Sequence, residues 1–156
     1  METIIKDFTE TTSKFRVIQE GHKILSLHRS GEVFHFIDQN YLNRGILFHG
    51  WVGYRKNEQI IEVLEGHFWD TFMKFPCKKM LIENSKMTGS FSGINEWLSN
   101  TFMPRMIENG LTHNAVVFPA NIFAQLAVED WDQKVGGFHN RSFKSESEAL
   151  TWLKMV

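Results

Sequence analysis

Between residues 57 and 74 apolar side chains return every fourth position: Ile60, Leu64, Phe68 and Phe72 form a stripe with Ile61 and Val63 beside it. Glu58, Glu62, Glu65, Asp70 and Lys74 take the other side, so the period is that of an amphipathic helix. Gly66 inside the stripe costs roughly 1 kcal/mol relative to alanine, which implies a bend there or a close neighbour. Pro76 ends the run, and the apolar Met80-Leu81-Ile82 predicts a buried strand over Lys79 to Ile82. After a polar loop from Glu83 to Gly93, a second stripe follows in Ile94, Leu98, Phe102 and Met106. Ser90 or Ser92 can cap that helix. Pro104 lacks the N–H its turn requires, so the helix kinks or restarts there, and Asn109-Gly110 closes it.

Upstream, His22 to Leu27 and Val33 to Ile37 read as extended segments around Arg29-Ser30-Gly31-Glu32, a hairpin turn. A second turn, Asp38 to Gly45, leads into a strand, Ile46 to Trp51. The first twenty residues are poorly patterned; Phe15 and Val17 alternate as in a strand, but nothing marks a hairpin. Downstream come a strand from Ala115 to Phe118 and a helix begun near Pro119 to Asn121 that carries Ile122, Phe123, Leu126 and Ala127. A short strand near Phe138 to Phe143 follows, then a last helix opened by Ser145 with Glu148 completing a capping box. Ala149, Leu150, Trp152 and Leu153 dock that helix.

Alternating strands and helices require crossover connections, so the expected fold is α/β. It is a single domain with a mixed sheet, antiparallel strands toward the N-terminus and parallel strands toward the C-terminus, packed with about four helices. Residues 33–156 make the α/β domain; residues 1–32 are an N-terminal extension or strands joining it.

Composition narrows the partners. The chain has 156 residues and a net charge of −1 without a run of Lys or Arg, which argues against nucleic acid or an anionic membrane as its main partner. No apolar stretch approaches the ~20 residues of a membrane span. One cysteine and no arginine-led apolar leader lead us to expect a cytoplasmic protein. Fourteen Phe stand beside 5 Trp and 2 Tyr. That excess packs a core, forms a subunit contact or lines a pocket; Trp51, Trp69, Trp97, Phe102 and Met103 are the candidates for an apolar cleft able to hold a lipid-like ligand.

Catalytic patterns are absent. Gly89-Ser90-Phe91-Ser92-Gly93 has Phe where a nucleophile elbow needs Ser, and Ile94 stands where a phosphate-binding loop needs Lys. Its helix start can bind a small anion or simply cap. The seven histidines show no close ligand pair, so surface or half-buried histidines are expected and no metal or cofactor is assigned. Cys77 reads as a buried inert thiol. Glu83 is the one acid placed for acid–base work, against capping or pairing with Lys86. An enzyme requires Glu83, a histidine and a hydroxyl to converge.

The order of elements, together with Gly50-Trp51, Lys79-Met80-Leu81-Ile82-Glu83-Asn84, Phe143 and Glu148-Ala149-Leu150-Thr151-Trp152-Leu153, resembles the bacterial STAS-like domains. The likeness runs from about Val33 to Leu153. In the anti-sigma-factor-antagonist branch it implies a non-enzymatic regulatory domain that binds a kinase or sigma-regulatory protein, alone or as a homodimer. The resemblance further implies that a serine or threonine after the Lys79 to Ile82 strand is phosphorylated. Glu83-Asn84-Ser85 approximates the acid-then-serine pattern, so Glu83, Asn84, Ser85, Thr88, Gly89, Ser90 and Ser92 form the expected regulatory or anion-binding loop. The likeness of this family to lipid carriers supports the alternative, a carrier of a small apolar or amphipathic molecule.

Overall fold

The computed structural model describes residues 2–89, 91, 93–119 and 138–156. One eight-stranded sheet has its strands side by side in chain order. They are β1 (Glu2–Lys6), β2 (Arg16–Glu20), β3 (Lys23–Leu27), β4 (Val33–Asp38), β5 (Ile46–Gly53), β6 (Lys79–Met87), β7 (His113–Val117) and β8 (His139–Phe143). Pairing is antiparallel from β1 to β5 and parallel from β5 to β8. The change at β5 follows from the connections, because tight turns reverse a chain whereas parallel neighbours need a long crossover. The α/β fold with a mixed sheet is therefore as the sequence implies.

The first twenty residues hold two strands that the pattern left unassigned. β1 is an edge strand with Ile4 and Ile5 exposed, and β2 buries the adjacent Val17 and Ile18, one on each face. Neither arrangement produces clean alternation. Gly21, at φ +60°, opens the tight turn that joins Glu20 to its pairing partner Lys23, so β3 starts one residue later than expected.

Besides the short 3-10 helices Phe8–Glu10 and Gln39–Arg44, three longer helical runs lie among the described residues. The first, α1, comprises Asn57–Val63, a π-helical turn Leu64–Phe68, and Trp69–Lys74. The second, α2, comprises Asn95–Trp97, a π turn Leu98–Phe102, and Met103–Glu108. The third, α3, is Glu146–Met155. The helix expected near Pro119 to Asn121 falls outside the described residues. Gly66 both breaks the helical backbone and has a close neighbour: a Cβ there would lie 3.3 Å from Lys6 Nζ. Pro104 lies just after the second π turn, in the first turn of Met103–Glu108, so the wider turn falls where the proline N–H is missing. Ser145 Oγ accepts from Glu148 N at 3.3 Å, the N-cap half of the expected box. No helix among the described residues is long and apolar enough to cross a membrane.

Strand alternation divides the core in two. Leu47, Met80 and Val116 join the stripes of α1 and α2, whereas Ile46, Phe48, Leu81, Ala115 and Val117 join Ala149 and Leu153 of α3. The two crossover helices α1 and α2 share a face because successive parallel strands joined by right-handed crossovers place both on one side. The terminal helix covers the other side.

Candidate functional site

The Met80-Leu81-Ile82 segment is interior, between β5 and β7, but its strand does not stop at Ile82. β6 continues to Met87, so Glu83, Asn84 and Ser85 are strand residues and not the loop expected from sequence. The polar composition that suggested a loop belongs to a β-bulge. β5 and β6 pair through Gly50 with Glu83 and resume at Val52 with Lys86, leaving Trp51 opposite both Asn84 and Ser85. Side chains take over the displaced backbone bonds: Trp51 N–H donates to Asn84 Oδ1 (3.2 Å) and Ser85 N–H to Glu83 Oε1 (2.7 Å). Asn84 is consequently buried, at 1% exposure. Thr88 and Gly89 are exposed just beyond the strand, and Ser90 and Ser92, including their proposed capping role, lie outside the described residues.

Beneath α1 and α2, near the carboxyl ends of β5, β6 and β7, lies a partly open recess of about 150 Å³. The sheet supplies His49, Trp51, Met80, Ile82, Asn84, Met87 and Val116. The helices supply Leu64, Phe68, Asn95, Leu98, Phe102 and Met103, and Gly89, Phe91 and Phe118 close the rim. Phe91 meets Trp51 edge-on, with ring centroids 6.3 Å apart, and carries the Arg55 guanidinium 4.6 Å above its own ring. Arg55 also donates to the carbonyl of Thr88, tying the rim to the start of α1.

Of the five residues expected to line a cleft, Trp51, Phe102 and Met103 do so and Trp69 and Trp97 do not. One residue along a helix rotates the side chain by about 100°. Phe68 and Leu98 therefore enter the wall while their neighbours Trp69 and Trp97 pack behind it against Phe102, at centroid distances of 6.0 and 5.4 Å.

The histidine expectation is overturned at three positions. His35, His49 and His67 are buried, at 0%, 2% and 6% exposure. His35 Nε2 lies 3.0 Å from His49 Nδ1, and Ser26 Oγ lies 3.2 Å from His67 Nε2. The His49 ring packs on Phe68 (4.4 Å) and that of His35 on Trp51 (4.3 Å). Burial pushes the pKa of His49 and of His67 down to about 3; burial, then repulsion from His49 and His67, holds that of His35 well below its ordinary value. All three are neutral near pH 7. In a hydrogen bond between two neutral imidazoles one ring donates and the other accepts, which leaves His35 Nδ1 and His49 Nε2 buried without a partner among the described residues. Pairwise spacing along the chain concealed this meeting. The alternation Leu47, His49, Trp51 was the available signal, since it places His49 on the inward face.

The remaining candidates sit elsewhere. The Cys77 thiol is buried, bonds the Phe75 carbonyl and is pushed up to about 11 by burial. Glu83 faces α3, where its charge, after burial, helps to raise the pKa of Glu146. It does not meet His49, which lies on the opposite face. No group of three metal-binding side chains occurs among the described residues. Compared with protein-family models, curated proteins and solved structures, the chain matches none.

Proposed function

We propose that this chain is a non-enzymatic binding domain for a small, largely apolar molecule held in the recess between the sheet and helices α1 and α2. The recess itself is the observation that carries this reading. The side chains around this partly open space of about 150 Å³ lack packing partners on one side, and natural interiors keep few voids larger than a water molecule. An apolar occupant recovers that loss. A cavity of this size accepts benzene, so the occupant is about one ring or a short branched chain. Toluene titrated into the full chain and followed by protein NMR should shift Met87 and Met103 methyl resonances in a saturable way. Unchanged methyl resonances would refute the reading.

The regulatory reading implied by the STAS-like resemblance has one observation in its favour. Thr88 is exposed directly after β6 and its carbonyl is held by Arg55, so a phosphate there would bring about two negative charges near that guanidinium. On this reading the protein acts in the cytoplasm, alone or as a homodimer, on a kinase-like or sigma-regulatory protein. Thr88→Asp and Ser85→Asp should then weaken partner capture in a pull-down; capture unaffected by either change would refute it.

A further inference from the structure

Resting on the reading of the recess as a binding site, we propose that its occupant is an uncharged molecule of single-ring size whose polar group is one carbonyl oxygen, accepting from the Asn84 side-chain amide and the Trp51 indole N–H. Both residues line the recess, and both are almost wholly buried, at 1% and 2% exposure. Neither Asn84 Nδ2 nor the indole nitrogen has a partner among the described residues, yet neither is sealed in as His35 Nδ1 and His49 Nε2 are. The little surface that these two donors keep therefore faces the recess, the open space that their side chains border. His49 Nε2, without accessible surface, is out of an occupant's reach.

The fold fixes the polarity of both groups. Asn84 Oδ1 accepts from Trp51 N–H at 3.2 Å; turned over, the amide would set two donors against each other, so Nδ2 is the end left to the recess. The bulge that turns Asn84 inward thus also presents its N–H groups. An indole nitrogen only donates. Asn95 also lines the recess, but it is half-buried and can turn to water, so it makes no demand on the occupant.

No Lys, Arg, Asp or Glu lines the recess among the described residues. Arg55, at the rim, is engaged by the Phe91 ring, the Thr88 carbonyl and the Met87 sulfur. A carboxylate would therefore be desolvated among neutral groups without an opposite charge. A hydrocarbon has the opposite fault, since it cuts both donors off from water and pairs with neither. A hydroxyl oxygen can accept from them, but its own proton then meets an Asn84 Oδ1 already in use and a His49 Nε2 that is sealed off. A carbonyl oxygen has two lone pairs for the two donors and no proton to place.

The test is a titration of the unaltered full chain, labelled with ¹⁵N in its Trp and Asn side chains, with cyclohexanone, cyclohexanol, cyclohexanecarboxylate and toluene. The saturated rings carry no ring current, so a downfield move of an N–H proton on adding them reports the hydrogen bond itself. Cyclohexanone should move the Trp51 indole and Asn84 side-chain N–H resonances downfield in a saturable way and leave the indole of Trp152, packed on the α3 face, in place. It should bind on the order of tenfold more tightly than cyclohexanol, whose proton is left unpaired. Cyclohexanecarboxylate should not bind measurably. Cyclohexanol binding as tightly as the ketone, a bound ketone that leaves either donor resonance unmoved, or tighter binding of the carboxylate would each overturn the assignment. Toluene shifting the Met87 and Met103 methyls while cyclohexanone fails to bind would overturn it too and leave the recess as an apolar site. Binding of none of the four would overturn the recess reading and this proposal together.

Discussion

The two faces of the sheet are built differently. On the α3 side, Ile46, Phe48, Leu81, Ala115 and Val117 meet Ala149 and Leu153, and even Gly50 is fitted: any side chain there would collide with the Glu83 carbonyl and meet the Phe36 ring at 2.8 Å. On the α1 and α2 side, one layer holds both π turns, the inward-turned Asn84 of the bulge, three buried histidines and the recess. Regular packing suffices where a face only has to hold the fold together. Local rules broken together on one face mark the place where something other than stability shaped the structure.

The largest break between the faces should come from acid. His35, His49 and His67 have folded-state pKa values below the ordinary 6.5, so the unfolded chain takes up protons first as the pH drops. Their contribution is complete above pH 6.5 and is lost as the pH falls from there toward about 3. Each histidine that stays neutral loses about 1.4 kcal/mol per pH unit, or about 2 kcal/mol by pH 5. Urea midpoints should fall steeply between pH 6.5 and 5, and His67→Gln should make that fall shallower. A flat profile over this range would show that the histidines are not buried together.

Truncation comes next in size. Leu153→Ala, on the closely packed side, should cost about 3 kcal/mol, and Leu98→Ala, which borders existing space, about 2 kcal/mol. Equal costs, or the reverse order in chemical denaturation, would contradict the difference in packing.

The smallest effects have opposite signs at adjacent residues of β7. Val116→Leu extends into the recess and should stabilise by about 0.5 kcal/mol while weakening toluene binding. Ala115→Val pushes into the α3 core and should destabilise by about 1 kcal/mol. The same sign for both would mean that the faces are equally filled.

The sequence made regular features legible and compensated ones illegible. The four-residue stripe of α1, the interior run Met80-Leu81-Ile82 and the trouble at Gly66 and Pro104 each have a local cause, and each lies where the pattern placed it. Glu83, Asn84 and Ser85 read as loop because their polarity is satisfied by bonds within the bulge, which no local pattern announces. His35 and His49 come from separate strands and meet only through sheet register, where His35 pairs with Trp51 and Ile37 with His49. Trp69 and Trp97 differ from wall residues by one helical position, a distinction that needs the helix orientation and not merely its existence.

Intermolecular NOEs between toluene and the unaltered chain test the central claim most directly. The account predicts contacts from the toluene ring to the Met87 and Met103 methyls and to the Phe102 ring, all of them walls of the recess. Contacts confined to exposed residues such as Tyr54 or Phe75, with none to those three, would contradict it.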